Sequence, residues 1–146
     1  MNQAATHASG FVFPVRIYYE DTDAGGVVFY ANYLKFMERA RTEWLRALDF
    51  HQHEIAEREQ AIFVVRALDM DYRKPARLDD LLEIRSDIST LGRASVTFFQ
   101  QVWRDGELLT QGNIKVCCVN TSSMRPAPIP ETLRATLASH VRPSLP

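Results

Sequence analysis

The spacing of apolar residues changes twice along the chain, and each change marks a different kind of element. Phe11-Val12-Phe13-Pro14-Val15-Arg16-Ile17-Tyr18-Tyr19 is rich in β-branched and aromatic residues and predicts a strand. From Asn32 the period becomes helical. Tyr33, Phe36, Met37, Ala40, Trp44, Ala47 and Leu48 share one stripe roughly 120° wide, with Lys35, Glu38, Arg39, Glu43 and Arg46 mostly elsewhere. Arg39 and Glu43 are spaced to pair, but such a contact is worth only about 0.2–0.5 kcal/mol, so burial of the aromatic stripe must hold the helix. After a polar stretch at 50–60, read as one or two helical turns, a period of two returns. Ile62, Val64, Leu68, Met70 and Tyr72 form one such run; Leu82, Ile84 and Ile88 form a second. Residues 96–103 and 108–119 form two more, joined by Asp105-Gly106, a two-residue hairpin signal. Pro130 ahead of 131–140 predicts a closing helix.

This order is strand, long helix, then four strands on short links, which disfavours a parallel doubly wound sheet. An antiparallel sheet needs one face covered, and the single long helix is the only element large enough to cover it. The predicted class is α+β, a curved antiparallel sheet wrapped around one long central helix. One domain is expected over 11–140, with flexible termini at 1–10 and 141–146.

Composition narrows the function classes. With 46% apolar and 24% charged residues the chain is that of a folded domain. Seventeen basic against eighteen acidic residues leave a net charge of −1, which gives no reason to expect nucleic acid or a membrane surface as a partner. Cys117 and Cys118 are adjacent, so a strand would aim them at opposite faces; a disulfide framework is not expected and the cytoplasm is the expected location. Neither a secretion signal nor a membrane span is legible. The histidines His7, His51, His53 and His140 read as surface residues and show no metal-site spacing.

The chemistry concentrates between the first strand and the helix, in Tyr19-Glu20-Asp21-Thr22-Asp23-Ala24-Gly25-Gly26-Val27-Val28-Phe29-Tyr30-Ala31-Asn32. Acids precede paired glycines, and the helix start that follows leaves backbone donors free to hold an oxyanion. The same residues would also serve a plain strand-to-helix turn, since Asp and Asn cap helices and Gly turns the chain. The apolar run at 27–30 points toward function, because it is expected to desolvate a neighbouring carboxylate.

Tyr18 to Tyr33 together with Glu38-Arg39-Ala40-Arg41-Thr42-Glu43 resembles the signature of the hotdog-fold acyl-CoA thioesterases, nearest to their tol-pal system-associated branch. The 4-hydroxybenzoyl-CoA thioesterases are wider relatives. The likeness continues through Pro75-Ala76-Arg77-Leu78-Asp79-Asp80 and 115–119, covering roughly 11–130. What the resemblance implies is a hotdog fold and homodimers or tetramers with active sites between subunits. It also implies hydrolysis of a short- to medium-chain or aromatic acyl-CoA substrate without metal or cofactor. By position, Asp23 is the implied catalytic carboxylate and Tyr30 the residue whose backbone N–H polarises the thioester carbonyl; some nearer relatives carry a histidine where Tyr30 stands. Gly25, Gly26 and Val27 are implied to line the substrate. Tyr19 either borders the pocket or is an ordinary strand aromatic. A basic rim for the coenzyme A phosphates is expected from Arg93 first, then Lys74 and Arg77, with Arg73 and Lys115 also considered. Asp21→Asn is the expected matched control for Asp23→Asn, since a strand puts both acids on one face. The alternative function is a non-catalytic acyl-thioester-binding or scaffolding module of the tol-pal envelope machinery at the inner membrane. A hotdog dehydratase is disfavoured because no histidine lies in the motif.

Overall fold

The computed structural model describes residues 5–6 and 10–143. Six strands and three helices follow in the order β1 (Ala5–Thr6), β2 (Phe11–Arg16), α1 (Asn32–Ala47), α2 (Gln52–Glu59), β3 (Ala61–Tyr72), β4 (Leu81–Leu91), β5 (Ser95–Arg104), β6 (Glu107–Asn120) and α3 (Glu131–Ala138). They form one antiparallel sheet in the spatial order β1-β2-β4-β5-β6-β3. The flexible ends expected at 1–10 and 141–146 fall largely outside the described residues. Of those within, Ala5 lies opposite Val12, and the Arg142 N–H donates to Ile88 O at 2.8 Å.

Strict alternation decides which face of the sheet receives α1. Leu82, Ile84, Ser86 and Ile88 on β4 and Val96, Phe98, Gln100 and Val102 on β5 are all buried. Against them lie Phe36, Met37, Ala40 and Trp44, each with next to no exposed surface, and Trp44 stacks on Phe11 at 6.0 Å between ring centroids. Irregularities at Val65/Ala67 on β3 and Ile88/Thr90 on β4 add twist and let the sheet curve round the helix. Gly112 on β6 is dictated by that curvature: a Cβ there would sit 2.1 Å from the Asp69 carbonyl oxygen on β3. The β5–β6 turn is as predicted, with Asp105 and Gly106 at φ 48° and 79°, the signs a type I′ turn requires.

Three local expectations are corrected. The first strand does not reach Tyr19. Ile17 still pairs with Asp79 and Asp80, but the Asp21 carboxylate then takes the Tyr18 N–H at 2.8 Å and turns Tyr19–Asp21 into a 3₁₀ turn. Glu43 pairs with Arg46 rather than Arg39, whose guanidinium instead lies 5.8 Å from the centre of the Phe36 ring. His140 is half-buried edge-on to Trp44 at 5.8 Å, not a surface residue; His7 lies outside the described residues. Cys117 and Cys118 are free and buried, and burial pushes the Cys118 thiol up in pKa, the opposite of activation.

Candidate active site

The stretch from Tyr18 to α1 is a small, heavily cross-tied loop. The Asp23 N–H donates to Val27 O at 2.9 Å and the Gly26 N–H returns to Asp23 O at 3.0 Å, closing a turn in which Gly26 has φ +78°. Thr22 bridges Val28 and Val27 bridges Arg77, while the Val28 N–H reaches Ala76 O at 2.9 Å. These bonds clip the loop to the segment that precedes β4. Asn32, the first residue of α1, anchors the other side by donating its Nδ2 to Asp21 O at 2.9 Å.

Inside this frame the Asp23 carboxylate is aimed by its own turn: Oδ1 accepts the Gly25 N–H at 2.8 Å. A side chain at Gly25 would crowd that oxygen, its Cβ standing 3.2 Å away. The Asp23 side chain is exposed in a single chain, which corrects the expectation of desolvation by the run at 27–30. Val28 turns into the core, and Phe29 and Tyr30 face outward. Further along the loop, the N–H groups of Val28, Phe29 and Asn32 are all used, yet those of Tyr30 and Ala31, just ahead of α1, find no acceptor among the described residues. A carboxylate and unsatisfied amides at a helix start therefore share one loop, a combination able to activate or deliver a nucleophile and to stabilise an oxyanion.

Tyr30 is held through its other backbone group. Its carbonyl accepts the Tyr72 hydroxyl at 3.1 Å, and its ring, 63% exposed, meets Tyr72 edge-on at 6.1 Å. Tyr33 Oη accepts the Ala76 N–H at 3.0 Å, and burial raises the pKa of both Tyr33 and Tyr72, so neither is a base at neutral pH. Tyr19 is not a strand aromatic: it belongs to the 3₁₀ turn, is 80% exposed, and its carbonyl accepts both the Thr22 N–H and hydroxyl. Val28, Tyr33, Tyr72 and Pro75 wall a cleft of about 250 Å³ beside Tyr30.

The basic residues divide. Lys74 is tied to Glu107 and Arg73 to Asp71, so neither charge is idle. Arg77 is exposed beside Val27, and its guanidinium has no acidic partner among the described residues. Lys115 lies mid-sheet between Thr97 and Ala67. Arg93 is not brought to the loop: it follows β4, whose other end lies beside Arg16, and eleven strand residues span roughly 33–36 Å.

A second cavity, of about 260 Å³, opens between α1, α3 and the sheet; Leu45, Phe63, Val65 and Val116 supply apolar wall, and Glu38 and Arg41 polar groups. Arg41 donates to Gln100 Oε1 at 2.9 Å. Gln100 is itself fully buried and gives its Nε2 hydrogens to Met37 O at 3.0 Å and Ser86 Oγ at 2.8 Å. Sequence reasoning missed Tyr72, Asn32 and this Arg41–Gln100 pair as site residues. Asn at a helix start is a readable signal; contacts between residues 42 and 59 positions apart are not.

The sequence profile of the thioesterase superfamily matches residues 25–111. Over 127 residues the chain is 47% identical to the acyl-CoA thioesterase YbgC of Haemophilus influenzae, a match spanning 87% of this chain and 93% of that protein. It is 38% identical over 133 residues to the acyl-CoA thioesterase YbgC of Helicobacter pylori, across 85% of this chain and 97% of that one. A probable thioesterase from Bartonella henselae superposes with a TM-score of 0.79 at 32% identity, covering 83% of this chain and 99% of its own. The profile takes in the Gly-rich turn, all of α1 and β3 to β5, and the sheet wrapped round one helix is the hotdog arrangement. This chain belongs to the thioesterase superfamily and has its hotdog fold.

Proposed function

We propose that this thioesterase hydrolyses short- to medium-chain acyl-CoA, aromatic acyl groups included, to the free acid and coenzyme A at a site completed by a second copy of the chain. The observation that carries the reading is the Asp23 carboxylate aimed by the Gly25 N–H in the loop that leaves the Tyr30 N–H unsatisfied. A thioester is an activated acyl group with a good leaving group, so one carboxylate and one oxyanion donor suffice. Asp23 either draws a proton from the attacking water or itself attacks the carbonyl carbon to give an anhydride that water opens. In both routes the carbonyl oxygen takes up negative charge against the Tyr30 N–H. The carbon–sulfur bond then breaks, and the thiolate leaves to be protonated.

The second copy is argued from β3. That strand ends the sheet order and among the described residues pairs only with β6, yet it is twelve residues long and exposes Val65 at 47% and Leu68 at 46%. A long, unpaired edge that exposes apolar side chains is a template for another strand, here with Arg66, Asp69 and Asp71 exposed among them. Antiparallel pairing of two such edges about a two-fold axis near their middle sets Tyr72 of one copy beside the Ile62–Val64 end of the other. The Tyr30 amide and Asp23 loop of one copy then face the cavity walled by Phe63 and Val65 of the other, and the acyl group enters that cavity. At about 260 Å³ the cavity is smaller than most small-molecule pockets, which suits a short chain or a single ring. Arg77 is assigned to a coenzyme A phosphate; Arg93, which precedes the Ala94 carbonyl bonded to Cys118 opposite Phe63, lies at the end of the sheet that the proposed pairing brings from the other copy toward the loop. The free thiols fit a cytoplasmic setting.

Thiol release from an acyl-CoA panel tests the reading. Asp23→Asn is expected to lower kcat by about 10²–10⁴-fold with the circular dichroism spectrum and oligomer mass unchanged. Saturable acyl-CoA binding with no Asp23-dependent thiol release would instead make the chain a binding or scaffolding module, the role in which the tol-pal association implied by the resemblance belongs.

A further inference from the structure

The cavity between α1 and the sheet holds a cation whose surroundings are incomplete. A guanidinium has five N–H donors, and that of Arg41 makes one side-chain hydrogen bond, to the neutral Gln100 carbonyl oxygen. Among the described residues no carboxylate comes within ion-pair distance of it. Glu38, one turn back on α1 and exposed at the mouth, acts on it only through space. One side faces the Phe98 ring at 5.9 Å from its centre, and the remaining surroundings are largely aliphatic. Burial pushes the Arg41 pKa down to about 10 against the opposing pull of Glu38, so among the described residues the charge is only partly compensated.

Gln100 makes this arrangement specific. Its two amide hydrogens are committed to Met37 O and Ser86 Oγ, which fixes its oxygen toward Arg41 and prevents the amide from turning over. The guanidinium is thereby oriented, half-buried and left with spare donors in a cavity of about 260 Å³.

We propose that this cavity selects acyl groups bearing an oxygen acceptor at the end remote from the thioester, a terminal carboxylate above all, and that Arg41 is the specificity-determining residue that receives it. The proposal rests on the reading of this cavity as the acyl pocket. A carboxylate suits the site because its two oxygens match the planar fork of a guanidinium and its charge cancels the partly compensated cation. An acyl chain ending in a methyl group leaves the spare donors unsatisfied, and a site built to hydrogen-bond a group rejects the analogue that lacks it.

Adipoyl-CoA and hexanoyl-CoA have the same carbon count and differ in the terminal carboxylate. The ratio of their kcat/KM values is measured in wild type, Arg41→Met and Arg41→Lys; taking a ratio cancels general effects on folding or turnover. Arg41→Met is expected to lower the adipoyl-to-hexanoyl ratio about tenfold or more, mostly through KM for adipoyl-CoA. Arg41→Lys should keep part of the preference, which a purely structural role for the side chain would not produce. A ratio that stays within about threefold across all three proteins overturns the proposal. Calorimetric titration of wild type with monomethyl adipate and methyl hexanoate, in which the carboxyl at the thioester end is masked and only the first keeps a remote carboxylate, reads the same preference without turnover. It therefore separates failure of this proposal from failure of the hydrolase reading: monomethyl adipate should bind about tenfold tighter, and equal or weaker binding overturns the assignment even if hydrolysis is normal.

Discussion

Gly25 shows how turn geometry and chemistry are joined in one residue. Its N–H orients the Asp23 carboxylate, and its missing side chain keeps the space beside Oδ1 open. Its φ is not in the left-handed region, so alanine at this position meets no backbone penalty. Gly25→Ala should therefore leave the thermal midpoint within a few degrees of wild type while lowering kcat about tenfold or more through displacement of the carboxylate. A parallel assay of thiol release and thermal melting checks this, and full activity in a stable variant would show that the carboxylate works from another rotamer. Two residues earlier, Asp21 does a different job, holding the Tyr18 N–H at 2.8 Å. The pattern Asp-x-Asp was legible, but the difference between its members was not. The expectation of a strand put both acids on one face, whereas the Asp21 side chain itself ends the strand. Asp21→Asn consequently perturbs the loop and is not a neutral control.

The elements with internal causes were the readable ones. α1 was placed by its own stripe, and Phe36, Met37, Ala40 and Trp44 are the residues that meet β4 and β5. The β5–β6 hairpin was placed by Asp105-Gly106, whose turn needs nothing from elsewhere. β3 is different. Its alternation in the sequence marked a strand but not an edge, and beyond the irregularity at Val65/Ala67 two of the residues that carried the pattern, Leu68 and Tyr72, are exposed, while Met70 packs half-buried against the core. Under the proposed pairing of two β3 edges, a charge in place of one of the exposed apolar side chains opposes association without touching the helix–sheet core. Leu68→Lys should halve the particle mass seen by sedimentation and remove most Asp23-dependent turnover, with the far-ultraviolet spectrum retained. A variant that keeps the wild-type mass would move the interface off β3.

At the scale of the whole molecule the unresolved contrast is between a well-aimed carboxylate in an exposed loop and a well-walled cavity some distance along the helix. Arg41 lies nine residues beyond the start of α1, about 14 Å at 1.5 Å per residue, while the loop carrying Asp23 precedes that start. Under the proposed pairing sequence could not join the two, because a contact between copies would leave no spacing within one chain. If the loop of one copy serves the cavity of the other, two inactive variants must complement. Asp23→Asn removes the carboxylate, and Thr42→Trp fills the cavity from its α1 wall. Each alone is expected to be nearly inactive. Mixed and allowed to exchange subunits, half of the dimers carry one of each. In every mixed dimer one site pairs the intact Asp23 loop of the Thr42→Trp copy with the open cavity of the Asp23→Asn copy. Random exchange thus restores roughly a quarter of the wild-type rate per chain, since half of the dimers keep one site of two. A loop and cavity that worked within the same chain would give no recovery at any mixing ratio, because each copy would carry its own defect into its own site.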